Sequence, residues 1–241
     1  MTTGPDDAAL DLAAEVGPFF VLDRWAPDAG WRPLRELTES DVIAGRVAAA
    51  REMLAERSRV AVAEIEERAT ASIVFLGLAA RLVSPAFASA VLAERVPHLL
   101  LDELWWRPVV GGPWPLARSS VGESTAGELA EDLDARILQP IVAPVLDAFG
   151  RTYAVSPQVL WGNVASSLAG ALTMLRAARP DRAEAATQLV GQLLDHGTLA
   201  GTGDLDPAGP SFVRRSCCLF YRVPGAGICG DCVLDEAPKP A

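Results

Sequence analysis

The sequence predicts an α+β fold: a predominantly α-helical body with a small antiparallel β element and an irregular C-terminal segment that carries the cysteines. Three observations predict it. Most of the chain carries apolar residues at helical spacing between caps and proline stops. One stretch, 99–118, breaks that pattern with Trp105, Trp106 and Trp114 around a Gly111-Gly112 turn. All four cysteines fall within the sixteen positions from 217 to 232.

The 241 residues suffice for a sizeable core, and half of them are hydrophobic. The formal net charge is −10, which argues against a nucleic-acid binder, since that function needs a basic footprint. The first residues are acidic and lack the basic and apolar regions of a secretory signal. The longest apolar run, 72–83, is interrupted by Arg81 and falls short of the ~18 residues of a membrane span. The expected location is therefore cytoplasmic, where thiols stay reduced and disulfides are disfavoured. The chain reads as a mostly helical body over residues 1–210 and a cysteine segment over 211–236 packed on it.

Along the chain, the first 37 residues read as irregular, with Pro18, Pro27 and Pro33. Thr38-Glu39-Ser40-Asp41 resembles a capping box opening a helix to about Arg57. A second helix runs over 62–83, where Ser84-Pro85 is expected to break or restart it before a further helix to about Arg95. The hairpin follows, and Pro108, Pro113 and Pro115 are expected to confine it to a sheet edge. Thr125-Ala126-Gly127-Glu128 is a second capping box, leading to a stretch bent at Pro140 and Pro144 and ending at Phe149-Gly150. Ser156-Pro157 is a good cap and first-turn pair, and the helix behind it aligns Trp161, Val164, Leu168, Leu172 and Leu175. Arg179-Pro180-Asp181 separates it from a last helix ending near His196-Gly197. A loop over 201–210 leads to the cysteines.

The cysteine spacing is C-C-x10-C-x2-C. Three roles compete. Cys229-x-x-Cys232 is an ordinary zinc half-site, but the adjacent Cys217-Cys218 is not, because neighbouring side chains diverge instead of converging on one ion. Two disulfides are opposed by the expected compartment. A flat two-iron cluster accepts divergent thiolates, since its irons sit side by side. Histidine ligation would have to come from His98 or His196, both far away in sequence. They read as surface or helix-end residues.

The segment resembles the FhuF-like ferric-siderophore reductases. The resemblance rests on Cys217-Cys218, the ten-residue gap, Cys229-Gly230-Asp231-Cys232, and the intervening Tyr221-Arg222-Val223-Pro224-Gly225. It extends to the stretch from Trp161 and Asn163 through Ser166 and Ser167 to Gly170, and to Arg81-Leu82-Val83-Ser84-Pro85. The resemblance implies a [2Fe–2S] cluster on Cys217, Cys218, Cys229 and Cys232. It also implies an oxidoreductase that delivers one electron to siderophore-bound Fe(III), releasing iron as Fe(II).

No Gly-x-Gly-x-x-Gly fingerprint is present, so the electron is expected from an external donor, a protein or a small reductant. The expected substrate is a ferric siderophore, with any contact to an importer being peripheral. The alternative is an iron–sulfur electron carrier or binding module with no siderophore pocket of its own. A groove in the body opening toward the cluster would favour the reductase. Arg214, Arg215 and Arg222 are candidates for cluster tuning or for attracting an anionic substrate, or are simply solvated. Asp231 is expected to face solvent. Gly225, Gly227 and Gly230 are expected to fold the loop tightly and offer N–H groups to the sulfurs. Trp161, Trp105, Trp106 and Trp114 are read as core packing before an aromatic substrate wall, and Asn163, Ser166 and Ser167 as ligand-binding or loop-capping groups. The charged stretch 63–68 reads as a solvated helix face.

Overall fold

The computed structural model describes residues 4–27, 30–109, 113–122, 127–206 and 211–238. It departs from expectation at the start: helix α1 spans Pro5–Ala14, in the stretch read as irregular. Pro5 sits in its first turn with Asp6 and Asp7, the favoured chemistry for a positive helix end. The helix is short, and tertiary contacts hold it. Asp6 pairs with Arg95 at 3.0 Å, and Asp7 with the buried Arg118. Burial pushes the Asp7 carboxyl up, but the hydrogen bond and charge of Arg118 outweigh it, leaving Asp7 below the usual carboxylate range. A depressed carboxylate contributes stability at neutral pH that is lost as pH falls through its folded value. Limited proteolysis across about pH 5 to pH 1 is therefore expected to show cleavage at α1 rising as Asp7 protonates, with Asp7→Asn abolishing that pH dependence.

Strands β1 (Asp23–Arg24) and β2 (Arg32–Pro33) precede helix α2, Ser40–Ser58. The expected capping box is not formed. Glu39 is the cap residue, and the Thr38 hydroxyl instead donates to Arg35 O at 2.7 Å. A short 3₁₀ turn, Val62–Glu64, follows, and then helix α3 runs unbroken over Glu67–Ala93. Pro85 lies inside α3, contrary to the expected break. Proline in a helix interior costs roughly 3 kcal/mol. Here every residue from Arg81 to Leu92 is buried, so breaking the helix would expose the centre of the core. By length and composition α3 is long and apolar enough to cross a membrane, correcting the sequence estimate. Its best window has a mean hydropathy of 1.7, and 72% of that window is buried inside the protein.

Strands β3 (Leu104–Trp106) and β4 (Leu116–Arg118) form the expected hairpin, whose Gly111-Gly112 turn lies outside the described residues. The sheet order is β1-β4-β3-β2, so the hairpin is interior and not an edge. Pro108 and Pro115 flank the strands without interrupting them, and Pro33 occupies the edge strand β2. The chain then enters helix α4, Leu129–Leu133; Thr125 of the proposed cap lies outside the described residues. The expected bend at Pro140 takes the form of a π-helical stretch, Asp134–Val142, whose wider turn tolerates the missing N–H. Pro144 opens helix α5, Ala143–Tyr153, where a missing N–H is harmless.

Helix α6, Pro157–Ala178, begins as expected, the Ser156 side chain accepting from the Val159 N–H. Helix α7, Ala183–Asp195, follows the Pro180 stop. The supposed 201–210 loop contains strand β5 (Gly203–Leu205), which pairs antiparallel with β6 (Phe212–Arg214). Helices α3 and α6 share the largest helix–helix interface, with α1, α2 and α5 around α3. The cysteine segment docks against the N-terminal ends of this central pair.

Arg81 ties the irregular N-terminal chain to that pair. Its guanidinium is 2% exposed and donates to three backbone carbonyls: Trp114 O at 2.6 Å, Pro18 O at 2.8 Å and Val21 O at 2.5 Å. Burial brings its pKa down to about 10, which still leaves it a cation at neutral pH.

Candidate metal centre

The path of the chain after β6 is set by a few backbone devices. Leu219 takes a left-handed conformation with φ 68°, directly after the cysteine pair. That turn lets the Leu219 N–H donate to Cys217 Sγ at 3.4 Å. Gly225 and Gly227, at φ 77° and 72°, reverse the chain toward Cys229. The Leu234 N–H then donates to Cys232 Sγ at 3.4 Å. The sulfur donors are thus leucine amides two residues beyond a cysteine, not the expected glycine amides. The sequence cue was the i to i+2 spacing after Cys217 and Cys232.

All four cysteines are free thiols. Cys218 is 2% exposed and its sulfur touches Cys229 Sγ at 3.4 Å. Cys217, Cys229 and Cys232 are half-buried. Burial pushes the Cys217 and Cys229 thiols up, and the crowding of neighbouring sulfurs adds to it. Among the described residues no three His, Cys, Asp or Glu side chains converge on one point suited to a metal ion. A tetrahedral zinc site requires that convergence. A two-iron cluster would instead take two thiolates on each iron, and Cys218 and Cys229 already bring two of the four sulfurs to 3.4 Å of each other. The all-sulfur donor set, with Cys218 and Cys229 in contact, fits a [2Fe–2S] cluster.

The segment is anchored from beneath. The Arg214 N–H donates to Asp231 O at 3.1 Å, joining β6 to the Cys229–Cys232 turn. Asp231 turns to solvent only in part: it is half-buried, and its Oδ2 is buried without a hydrogen-bond partner among the described residues. The Arg214 side chain is 1% exposed and donates through Nη2 to Asn163 Oδ1 on α6. Asn163 is itself fully buried, and its Nδ2 donates to Ser72 O and Ser72 Oγ on α3, both at 2.9 Å. Asn163 and Arg214 are therefore inaccessible to a substrate, which removes that reading for both. Ser167 is likewise engaged, donating to Asn163 O at 2.8 Å.

The other candidates divide. Arg215 pairs with Asp204 at 2.5 Å, and Arg222 with Glu66 at 2.9 Å. Neither is a free cation beside the sulfurs. Glu66 belongs to the charged stretch read as solvated, and it is half-buried through this pair. Trp106 and Trp114 are core residues, Trp105 stacks on Trp25 at 4.7 Å, and Trp161 packs half-buried against the core.

Gly162 and Ser216 escaped sequence reasoning. Ser216 Oγ donates to Gln158 O at 3.1 Å, and a Cβ on Gly162 would collide with that same hydroxyl. Gly162→Ala is expected to lower stability by about 2 kcal/mol and to speed iron loss to a chelator, as followed by thermal melting and by bleaching of the visible band.

Two cavities bear on function. The larger, about 930 Å³, lies along α7 and β5 and meets the cysteine segment only at Arg215. The smaller, about 340 Å³, is an open groove between α6 and the Cys229–Cys232 turn, lined by Ser166, Thr173, Gly230 and Asp231 among others. It is the smaller one that adjoins the chemistry.

Residues 214–234 match the family model described as the FhuF 2Fe-2S C-terminal domain, a stretch that contains all four cysteines. No curated protein matches the chain. The segment is similar to iron–sulfur domains of that type, and the match indicates a [2Fe–2S] cluster as its cofactor.

Proposed function

We propose that this chain is a cytoplasmic ferric-siderophore reductase, with Cys217, Cys218, Cys229 and Cys232 holding the cluster. The observation that carries the reading is the FhuF-type domain set against a groove that opens onto its own cysteine turn. A carrier without a substrate pocket has no need of that groove.

The bound cluster supplies one electron at a time. The chain's own residues do the rest. Cys218 is buried and Cys217, Cys229 and Cys232 are half-buried, so a cluster held by the four would be shielded by Cys218 and still lie within reach of the surface. Ser166 and Thr173 line the groove beside Gly230; the Ser166 hydroxyl can donate to a chelator's oxygens, while the Thr173 hydroxyl donates to Ala169 O at 3.0 Å and is left as an acceptor. Gly230 has no side chain to hold a substrate away from the flanking cysteines. The substrate's Fe(III) gains one electron and becomes Fe(II), which hard oxygen donors hold far less tightly. An external donor replaces that electron. We assign residues 1–210 to positioning and substrate contact and 211–236 to redox chemistry.

The test is anaerobic. The reduced, loaded chain is mixed with a ferric siderophore in the presence of a ferrous chelator. Reoxidation of the protein with one Fe(II) trapped per electron supports the reading. A reduced spectrum that persists beside intact ferric complex contradicts it. A bulky change in the groove, Ser166→Trp, is expected to slow the reaction at least tenfold while leaving the iron content unchanged.

A further inference from the structure

We propose that Arg214 is the fixed countercharge of the iron–sulfur site: a buried cation, oriented by Asn163 and Ser72, that raises the reduction potential without touching substrate. The inference rests on the cluster assignment and not on the siderophore.

The other buried guanidinium groups of this chain are satisfied by oxygen acceptors. Arg81 spends its donors on three carbonyls, and Arg118 bonds Leu22 O and the Asp7 carboxylate. Arg95, partly buried, pairs with Asp6. Arg214 differs. Only Nη2 has a partner, the neutral Asn163 amide oxygen, while Nε and Nη1 are buried with none among the described residues. No carboxylate forms an ion pair with it there. An isolated buried cation costs several kcal/mol, so such groups are retained where an anion completes them.

The position supplies the anion. Arg214 lies three residues before Cys217, and its backbone N–H is bonded to Asp231 O, next to Cys232. Its Nη2 and the Ser216 hydroxyl lie against the same face of Gly162, which sets the guanidinium beside the residue that immediately precedes Cys217. A four-thiolate [2Fe–2S] cluster is negatively charged when oxidised and more so when reduced. A cation fixed beside it in a low-dielectric site therefore favours the reduced form.

The Ser72–Asn163 pair is what makes the cation useful. Both Asn163 Nδ2 bonds point to α3, which fixes the amide so that its oxygen, not its nitrogen, faces the guanidinium. Asn163 holds Arg214 in place without neutralising it. An aspartate there would neutralise the guanidinium, but it would lose the donation to Ser72 O.

The test is a mediated potentiometric titration of the anaerobically purified full chain, followed by EPR, with no siderophore present. Iron content and melting temperature are recorded for every variant. Asn163→Asp sets a neutralising carboxylate on the guanidinium while giving up the donation to Ser72 O, and Arg214→Gln removes the charge. Both are expected to shift the reduced-to-oxidised ratio at least tenfold toward oxidised, a fall of ~59 mV or more for one electron. Arg214→Lys, which keeps a charge, is expected to shift it by less than half as much. If Arg214→Gln does not load iron, Asn163→Asp decides, since it retains the guanidinium. Potentials equal to the parent in loaded variants would overturn the inference. So would failure of both variants to hold iron, which would mark Arg214 as purely structural. Neither result bears on whether the chain reduces a siderophore.

Discussion

Cys218→Ser is expected to yield a folded chain that retains less than a tenth of the parent's iron. Among the four cysteines Cys218 is the buried one, and its sulfur already touches Cys229. A serine hydroxyl does not ionise near neutral pH and is a poor donor to iron beside sulfide. Changes merely behind a metal ligand commonly reduce affinity 10–100-fold, so loss of a ligand should exceed that. Iron and sulfide analysis with the visible and EPR spectra provides the measurement. The melting temperature should fall only modestly, since the α3–α6 core does not depend on the thiol. An intact cluster in Cys218→Ser would contradict the ligand assignment. The serine variants of Cys217, Cys229 and Cys232 are expected to follow the same direction.

The second large effect is expected far from the metal centre. Arg81→Met keeps the volume of the side chain but strands the carbonyls of Pro18, Val21 and Trp114 without the donors they have now. Each buried acceptor left unpaired costs about 1–3 kcal/mol. The joint loss is expected to be about 3–5 kcal/mol, or roughly 10 °C in melting temperature for a chain of this size. Arg81→Lys should recover part of it, because an ammonium reaches some of the three carbonyls but lacks the planar fork. The cluster spectrum of the melted-down variants, measured well below their transition, should match the parent. A melting temperature within 2 °C of the parent, roughly half a kilocalorie, would show that solvent satisfies those carbonyls and that Arg81 does not clamp the N-terminal chain.

What was legible in the sequence followed physical locality. The Ser156-Pro157 start of α6 and the Arg179-Pro180-Asp181 stop are decided by groups within a few residues, and the structure forms both. The clustered cysteines announced a shared cofactor for the same reason. What failed was decided at long range. α1 looked irregular because its acids find their partners at Arg95 and Arg118, about a hundred residues away. Pro85 looked like a break because the burial that overrides it comes from other helices. The hairpin looked like an edge because β1 and β2, two residues each, carry no pattern of their own. Arg214 and Asn163 were noticed, but their burial, which excludes substrate contact, exists only once α3 and α6 have met. Gly162 was invisible because its reason is a hydroxyl fifty-four positions later.

The cysteine segment has almost no regular structure of its own, only β6 and one short turn. Its rigidity is borrowed from the helices beneath, through Arg214, Asn163, Ser72 and the Ser216 contact over Gly162. Packed helices deform little, so ligands pinned to them keep nearly the same positions whichever charge the centre carries. The barrier to moving an electron includes the work of rearranging its surroundings, and dipoles fixed in advance keep that work small. A loop hung on two stiff helices is thus mechanically suited to fast exchange in both directions, whatever the partner on either side.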